Sequence, residues 1–478
     1  MISLTSFSNK LLCFALALWG CTLAGCSGLR GNPLQMPQLV ATKASPQPAL
    51  AGQILWQAAV TGGAPPLSYE FRLLTEHRLT VVKRGPENRW AWLPRNPGDY
   101  QISVKVEDAH GDSTVSPWQP YLIKPGIERS SRIAVLPIEN LSGTKAPLQQ
   151  ISIAYADMLK ETGLQLMGTE QLENFMYRHR MRYTGGIGAE ISAALRDEDQ
   201  VAAVMITSLE SYEDSIPPKI ALISRLVLCQ DTPRIAWIDG VGISGADHPG
   251  LLSLGRIDRI EELQKKALAT LRASFENYLA GGRSRGENTE EQPPRDYYRA
   301  TDFSPDNSYR LAIVPFLNRY ARKNAGFVVP LHLINSLANH ENLDLIEPGL
   351  VREQLLKYRL IMQAGPSLAI ADALAHKSTL NADLILSGYV FDYQDQSGTP
   401  KIDFSTRLFS GPERKIIWWS RSYAAGDDDV YFFDLGRYRS AHVLTEDMTR
   451  AIGQLLFPRK YDREPDPTEL NPTGYNQH

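Results

Sequence analysis

Cysteine is nearly absent from this 478-residue chain: there are four, and three of them (Cys13, Cys21 and Cys26) fall in the first 26 residues. Beyond that point Cys229 stands alone, so no disulfide framework is available to the rest of the chain. Its setting in the apolar run LISRLVLC marks it as a small buried hydrophobe and not a reactive thiol. Past the N-terminus no stretch approaches 18 consecutive apolar residues, which excludes a spanning helix of ordinary length there. Runs of Lys and Arg are missing too, and 50 basic against 53 acidic side chains leave a net charge of −3, so no nucleic-acid-binding face is implied. The nine histidines, at 77, 110, 179, 248, 332, 340, 376, 442 and 478, are scattered, and none forms an i, i+4 pair around a helical acid. Zinc chemistry therefore has no motif to rest on. TGGIGAE at 184–190 is Gly-rich, but it follows a predicted helix and lacks the P-loop lysine, so it reads as a loop hinge. Asp427, Asp428 and Asp429 lack EF-hand spacing and read as a solvated turn. Neither G-x-S-x-G nor a paired carboxylate stands in a suitable context. The expectation is no catalytic residue, no metal, no cofactor and no enzyme activity.

What is present begins with Lys10, a nine-residue apolar run from Leu11 to Trp19, and small residues after it. The run is too short for a permanent bilayer span and reads as a signal peptide over residues 1–25. It ends in LAGC, Leu23 to Cys26, which resembles the lipobox of bacterial lipoproteins. The resemblance implies cleavage before Cys26 and a diacylglycerol thioether on its sulfur, with small residues ahead of it to fit the peptidase cleft. Ser27 stands where an acidic residue would retain a lipoprotein at the inner membrane, so the implied location is the outer membrane, lipid-anchored and facing the periplasm. Several acyl chains make such an anchor effectively stable. Residues 26–46, rich in Gly, Pro and Ser, read as a flexible tether.

From 47 to 125 the apolar period is two: Ile54, Trp56, Ala58 and Val60, then Leu67, Tyr69, Phe71 and Leu73, then Tyr100, Ile102, Val104 and Val106. Strands separated by TGGAPP and NPGD predict a small β-sandwich. VTGGAPPLSYEF and PGDYQISVKVEDAHG resemble bacterial Ig-like or PKD-type domains. Core packing is the expectation for Trp56, Trp90 and Trp92, with a sugar-stacking surface, and hence a glycan or peptidoglycan partner, as the alternative.

The remainder of the chain is written twice. RIAVLP at 132–137 answers RLAIVP at 310–315 at an offset of 178. Leu172, Met176 and Arg180 answer Val351, Leu355 and Arg359 at 179, and Ala203 and Ser208 answer Ala382 and Ser387 at the same offset. Lys219-Ile220 and Arg225-Leu226 match Lys401-Ile402 and Arg407-Leu408 at 182; Trp237 matches Trp418 at 181. Each copy reads as a buried strand ending in Pro, a helix, a short strand, an amphipathic helix, a strand leading into a hairpin, and a long closing helix. In the first copy that last helix carries Leu263, Ala267, Leu271, Phe275 and Tyr278 before Gly281; in the second, Leu444, Met448, Ile452 and Leu455 line one face. Both modules should be α/β layers on mixed sheets.

The order of these blocks, IAVLPIENLSG, GLQLMGTEQLENFM, the AAVMITSLESY strand and a hairpin carrying Trp, resembles the TolB amino-terminal and curli-secretion (CsgG-like) lipoprotein fold. It implies a multidomain chain: an all-β Ig-like sandwich (47–125), a first α/β module (128–282), a linker (283–307), a second module (308–457) and a tail (458–478). Relatives of that kind are non-enzymatic envelope parts, so the implied role is a scaffold or assembly factor for protein partners in secretion, Tol-like or cell-wall synthesis machinery. An enzyme with an unrecognised site where the modules meet is a further alternative, and the oligomeric state is open.

Overall fold

A computed structural model describes residues 32–458 except 76–77, 248–254, 283–291, 306, 364, 396–397, 429 and 431–435. The signal-peptide stretch, the expected lipidation site Cys26 and the tail after 458 lie outside the described residues.

The first unit is built from β1 (Gln38–Ala41), β2 (Gln47–Pro48), β3 (Ile54–Ala59), β4 (Ser68–Thr75), β5 (Arg78–Gly85), β6 (Arg89–Trp92), β7 (Gly98–Glu107), β8 (Ser113–Val115) and β9 (Gln119–Lys124). One sheet runs β1-β3-β6 and the other β2-β9-β7-β4-β5, with β8 on β7. Alternation does the work: Ile54, Trp56 and Ala58 turn inward from β3, and Tyr100, Ile102, Val104 and Val106 from β7. Trp56, Trp90 and Trp92 are only 1%, 3% and 1% exposed. Trp90 and Trp92 stack at 5.5 Å, with Tyr100 set edge-on to Trp92 at 5.0 Å. The three indoles are core and offer no sugar-stacking surface, so the glycan alternative loses the platform it was built on. Part of the expected tether is also strand: Leu39 drops into this core, and β1 pairs with β3.

The first module contains β10 (Arg132–Val135), β11 (Glu139–Asn140), α1 (Leu148–Lys160), β12 (Gln165–Leu166), α2 (Thr169–Arg178), α3 (Ala189–Asp199), β13 (Ala203–Glu213), β14 (Lys219–Leu228), β15 (Arg234–Ser244) and α4 (Ile260–Leu279). Its mixed sheet runs β12-β10-β13-β14-β15. The second module repeats the plan with β16 (Asp296–Arg299), β17 (Tyr309–Ile313), β18 (Leu317–Asn318), α5 (Ala325–Leu337), β19 (Leu343–Leu345), α6 (Pro348–Lys357), α7 (Leu368–Ala375), β20 (Leu384–Gln394), β21 (Lys401–Ser410), β22 (Lys415–Ala425) and α8 (Ala441–Leu456), in the order β16-β22-β21-β20-β17-β19. The chain is thus multidomain, with mixed sheets and eight α-helices among the described residues. The edge strand β16 comes from the segment expected to be a linker; Tyr297 stacks on Trp418 at 5.3 Å there.

Strand pairing corrects the repeat alignment in one place. Ile133 pairs with Ala203 and Leu311 with Leu384, so β13 and β20 correspond at 181 and not at the 179 suggested by the Ala and Ser identities.

The modules stack head to tail. One face of the first sheet, with Leu222, Leu226 and Trp237, packs on its own α1 and α4. The opposite face, with Val204, Ile206, Ile223 and Ile238, shares a continuous core with α5 and α8 of the second module. Those two helices also cover their own sheet through Phe404, Leu408 and Trp418. The pair therefore fills the space between two sheets, which explains why AGFVVPLHLINSL in α5 is apolar nearly all round whereas α1 leaves Ile153 in solvent.

Candidate functional site

The seam between the modules carries polar groups that an apolar filling would not need. Glu210 lies in β13 at a break in register: Leu209 faces Leu222 and Ser211 faces Ala221, leaving Glu210 as the extra residue of a β-bulge. A bulge re-aims a side chain. Here the carboxylate meets two histidines from the other module, His332 in the middle of α5 and His442 at the start of α8. Its Oε2 lies 3.1 Å from His332 Nε2 and 2.5 Å from His442 Nδ1. The imidazoles stand edge to face, 4.6 Å between centroids. All three residues are at most 2% exposed.

Neighbouring elements hold this cluster in shape. Ser440 caps α8 by accepting from the His442 backbone N–H. Gly240 and Gly242 of β15 open a notch for the ring: a Cβ at Gly242 would sit 2.4 Å from His442 Cβ, and one at Gly240 2.6 Å from its Cε1. Arg322 donates to the Glu210 carbonyl and lies over the Tyr393 ring at 4.3 Å. Burial would by itself raise the Glu210 carboxyl, but the two imidazoles beside it hold it well below the usual carboxylate range. Burial pulls His442 down, and Glu210 more than offsets it, so the imidazole is raised. Glu210 Oε1, His332 Nδ1 and His442 Nε2 are buried without a hydrogen-bond partner.

A second buried pair crosses the same seam. Arg225 of β14 donates from Nε and Nη2 to the two oxygens of Glu347, at 3.1 and 3.0 Å, and from Nη2 to the Gly185 carbonyl at 2.7 Å. Both side chains are essentially without solvent contact. Glu347 also caps α6, accepting from the Gly349 N–H. Nearby, Glu139 accepts from Ser208 at 3.0 Å, and burial raises its carboxyl above the usual range. Lys219 donates to the Asp395 carbonyl of the second module at 2.9 Å.

The residues singled out by sequence find ordinary places. TGGIGAE does lead into a helix N-terminus, that of α3, but the acceptor there is Glu353 of the second module, 3.1 Å from the Ala189 N–H. Gly186 packs against the Gly349 backbone. The segment is therefore part of the seam. Asp428 accepts from the Ala425 N–H at 2.8 Å and closes its own turn, while Asp429 lies outside the described residues. Cys229 is buried, which pushes its thiol up to about 12. Sequence reading missed the Glu210, His332 and His442 cluster because its members lie 122 and 232 positions apart. The available signals were a histidine inside an otherwise apolar helix and the G-x-G at 240–242 within a buried strand.

No family model matches the sequence, and no curated protein matches it. Among solved structures, the chain is similar to the PelC dodecamer from Paraburkholderia phytofirmans (14% identity, TM-score 0.23, covering 34% of this chain and 94% of that one). It is also similar to lipoprotein GNA1162 from Neisseria meningitidis (15%, TM-score 0.23, 31% and 99%) and to the LpoB C-terminal domain from Escherichia coli (14%, TM-score 0.21, 24% and 83%). The neighbours thus include a bacterial lipoprotein, but likenesses this slight carry no functional argument. Among the described residues no helix is long and apolar enough to cross a membrane.

Proposed function

We propose that this chain is a lipid-anchored, non-enzymatic envelope scaffold, an Ig-like domain ahead of two CsgG-like modules, that holds a protein partner on its second sheet. The observation that carries this reading is the uneven fate of the duplicated face. In the first module the face bearing Glu210 and Arg225 is covered by helices α5 and α8. In the second, α6 and α7 bury one end of the corresponding face, at Ile385 and Phe409, while the rest is half-buried: Tyr389, Phe391, Arg407, Trp419, Arg421 and Tyr423 line it, and no helix pair of another module lies over them among the described residues.

Its chemistry suits a protein partner. Arg319 lies over Tyr389 at 4.5 Å, Arg421 over Phe391 at 3.8 Å and Arg295 over Tyr423 at 4.0 Å. Arginine stacked on aromatic rings is the composition enriched at interface hot spots. By analogy with α5 and α8, the occupant is a helix pair whose flanks carry acid to meet Arg319 and Arg407. Secretion, Tol-like and cell-wall synthesis components are the partner classes that the family resemblance implies.

The test is a photo-crosslinking residue at Trp419, used in cells with the lipid anchor intact. A discrete crosslinked envelope protein, lost on Arg407→Glu with Tyr389→Ala while the thermal melt is unchanged, supports the scaffold. A crosslink pattern that the double variant does not alter overturns it.

A second reading, an enzyme with a site at the seam, is favoured by the convergence of Glu210, His332 and His442. Their burial means that substrate reaches them only if the modules part. Turnover that survives a disulfide clamping the seam would exclude that route.

A further inference from the structure

The hydrogen bonding at Glu210 is lopsided. Two imidazole nitrogens from separate helices aim at one oxygen, Oε2, and the other oxygen has no partner. Two donors satisfying a buried carboxylate would be expected to divide between its oxygens, because each bare oxygen in a low-dielectric site is costly. Two imidazoles and a carboxylate gathered in one buried cluster are also a donor set that can surround a cation. One ligand atom from each of the three residues lies within 4.8 Å of the others, all from buried side chains. Glu446, one helical turn on from His442 in α8, adds further negative charge near it. Gly240 and Gly242 give the His442 ring the space it needs.

We propose that Glu210, His332 and His442 form a divalent transition-metal site, suited to zinc, that pins the two modules together. Two imidazoles and one carboxylate are a donor set zinc takes at about 2.0–2.2 Å, and imidazole excludes calcium and magnesium as the natural occupants. The ligands come from both modules, so the ion binds the closed seam and not the separated modules, and binding must stabilise closure by mass action. The role is structural. The site is remote from the open face of the second sheet, so its failure leaves the scaffold reading untouched.

The experiment uses the full chain, purified in detergent through a tag free of histidine, stripped with chelator and titrated with zinc against a chromophoric indicator. One equivalent per chain, bound at least tenfold more tightly than by His442→Gln and Glu210→Gln variants, is expected, together with a rise in Tm on zinc addition. Cobalt, held by the three side chains with a water as fourth ligand, should give the visible absorption of a four-coordinate site in the unsubstituted chain, a readout that needs no variant to fold. His179→Gln and His376→Gln, at surface histidines, should leave the stoichiometry unchanged. A folded, unsubstituted chain that takes up neither zinc nor cobalt overturns the proposal and leaves a shared proton at the cluster. Binding that persists in a Glu210→Gln/His442→Gln double variant also overturns it.

Discussion

Replacing Arg225 with methionine is expected to cost about 3–5 kcal/mol of stability, and the same change at its repeat counterpart Arg407 less than about 1 kcal/mol. The two arginines occupy one position of the duplicated fold, so the comparison holds chemistry and backbone fixed and varies only the surroundings. Arg225 is 1% exposed and is held by three hydrogen bonds, two of them to a Glu347 that is itself fully buried. Removing it strands a carboxylate whose remaining neighbour is the Gly349 N–H at 3.4 Å. Arg407 is half-buried and contributes a cation–π contact with Tyr389 at 5.8 Å, where water replaces most of what is lost. Arg225→Met with Glu347→Leu removes both charges and should recover all but about 1 kcal/mol, the residue being the lost α6 cap. Urea unfolding followed by circular dichroism and tryptophan fluorescence measures each value. If Arg225→Met costs no more than Arg407→Met, the buried pair does not hold the seam and the reasoning fails.

Other outcomes follow from the same seam. Burial raises the Glu139 carboxyl, despite the Ser208 hydroxyl and the Arg225 and Arg352 charges. The folded state thus holds that proton more tightly than the unfolded chain. Its contribution is full below about pH 4.5 and is lost as pH rises through the folded pKa. Glu139→Gln should therefore raise Tm at pH 7–8 and leave it nearly unchanged at pH 4; equal shifts at both would contradict this. Gly242→Ala drives a methyl to 2.4 Å from His442 Cβ and should cost about 1–3 kcal/mol, whereas Gly168→Ala meets nothing within 4 Å and should stay within about 0.5 kcal/mol in a thermal melt. Glu353→Ala removes the acceptor at the N-terminus of α3 and should cost about 1 kcal/mol; a silent variant would show the α3 cap to be dispensable.

The duplication was legible because buried strands draw on a narrow vocabulary: RIAVLP and RLAIVP both need aliphatic side chains on two faces, and a closing Pro where no donor is missed. The sandwich was legible for the related reason that period two is hard to disguise. What escaped was set by pairing. Side-chain identity at Ala203 and Ala382 suggested one register, while hydrogen bonding chose another two residues away, and neither bulge has a sequence signature. β1 and β16 escaped because short edge strands need few inward residues: Leu39 drops into the core from the first, and in the second Tyr297 stays half-exposed while stacking on Trp418.

The two copies diverge where their surroundings diverge, and that is how the seam can be read back from the sequence once the register is known. Both β13 and β20 carry the same bulge; the extra residue is Glu210 in one and Phe391 in the other. Gly240, which makes room for His442, corresponds to Arg421, which lies over Phe391. The covered face has small residues where a neighbour's histidine enters and carries a charge where a partner meets it, as at Arg225. The open face carries bulk and arginines, laid on aromatic rings. Core positions inside each module show no such split: Trp237 and Trp418 are both buried against their own helices. The opposite chemistry of the two outer faces matches their surroundings, since the first meets the second module and the second meets none of the described helices at Tyr389, Phe391 and Arg407, and it is on this difference that the proposed partner face rests.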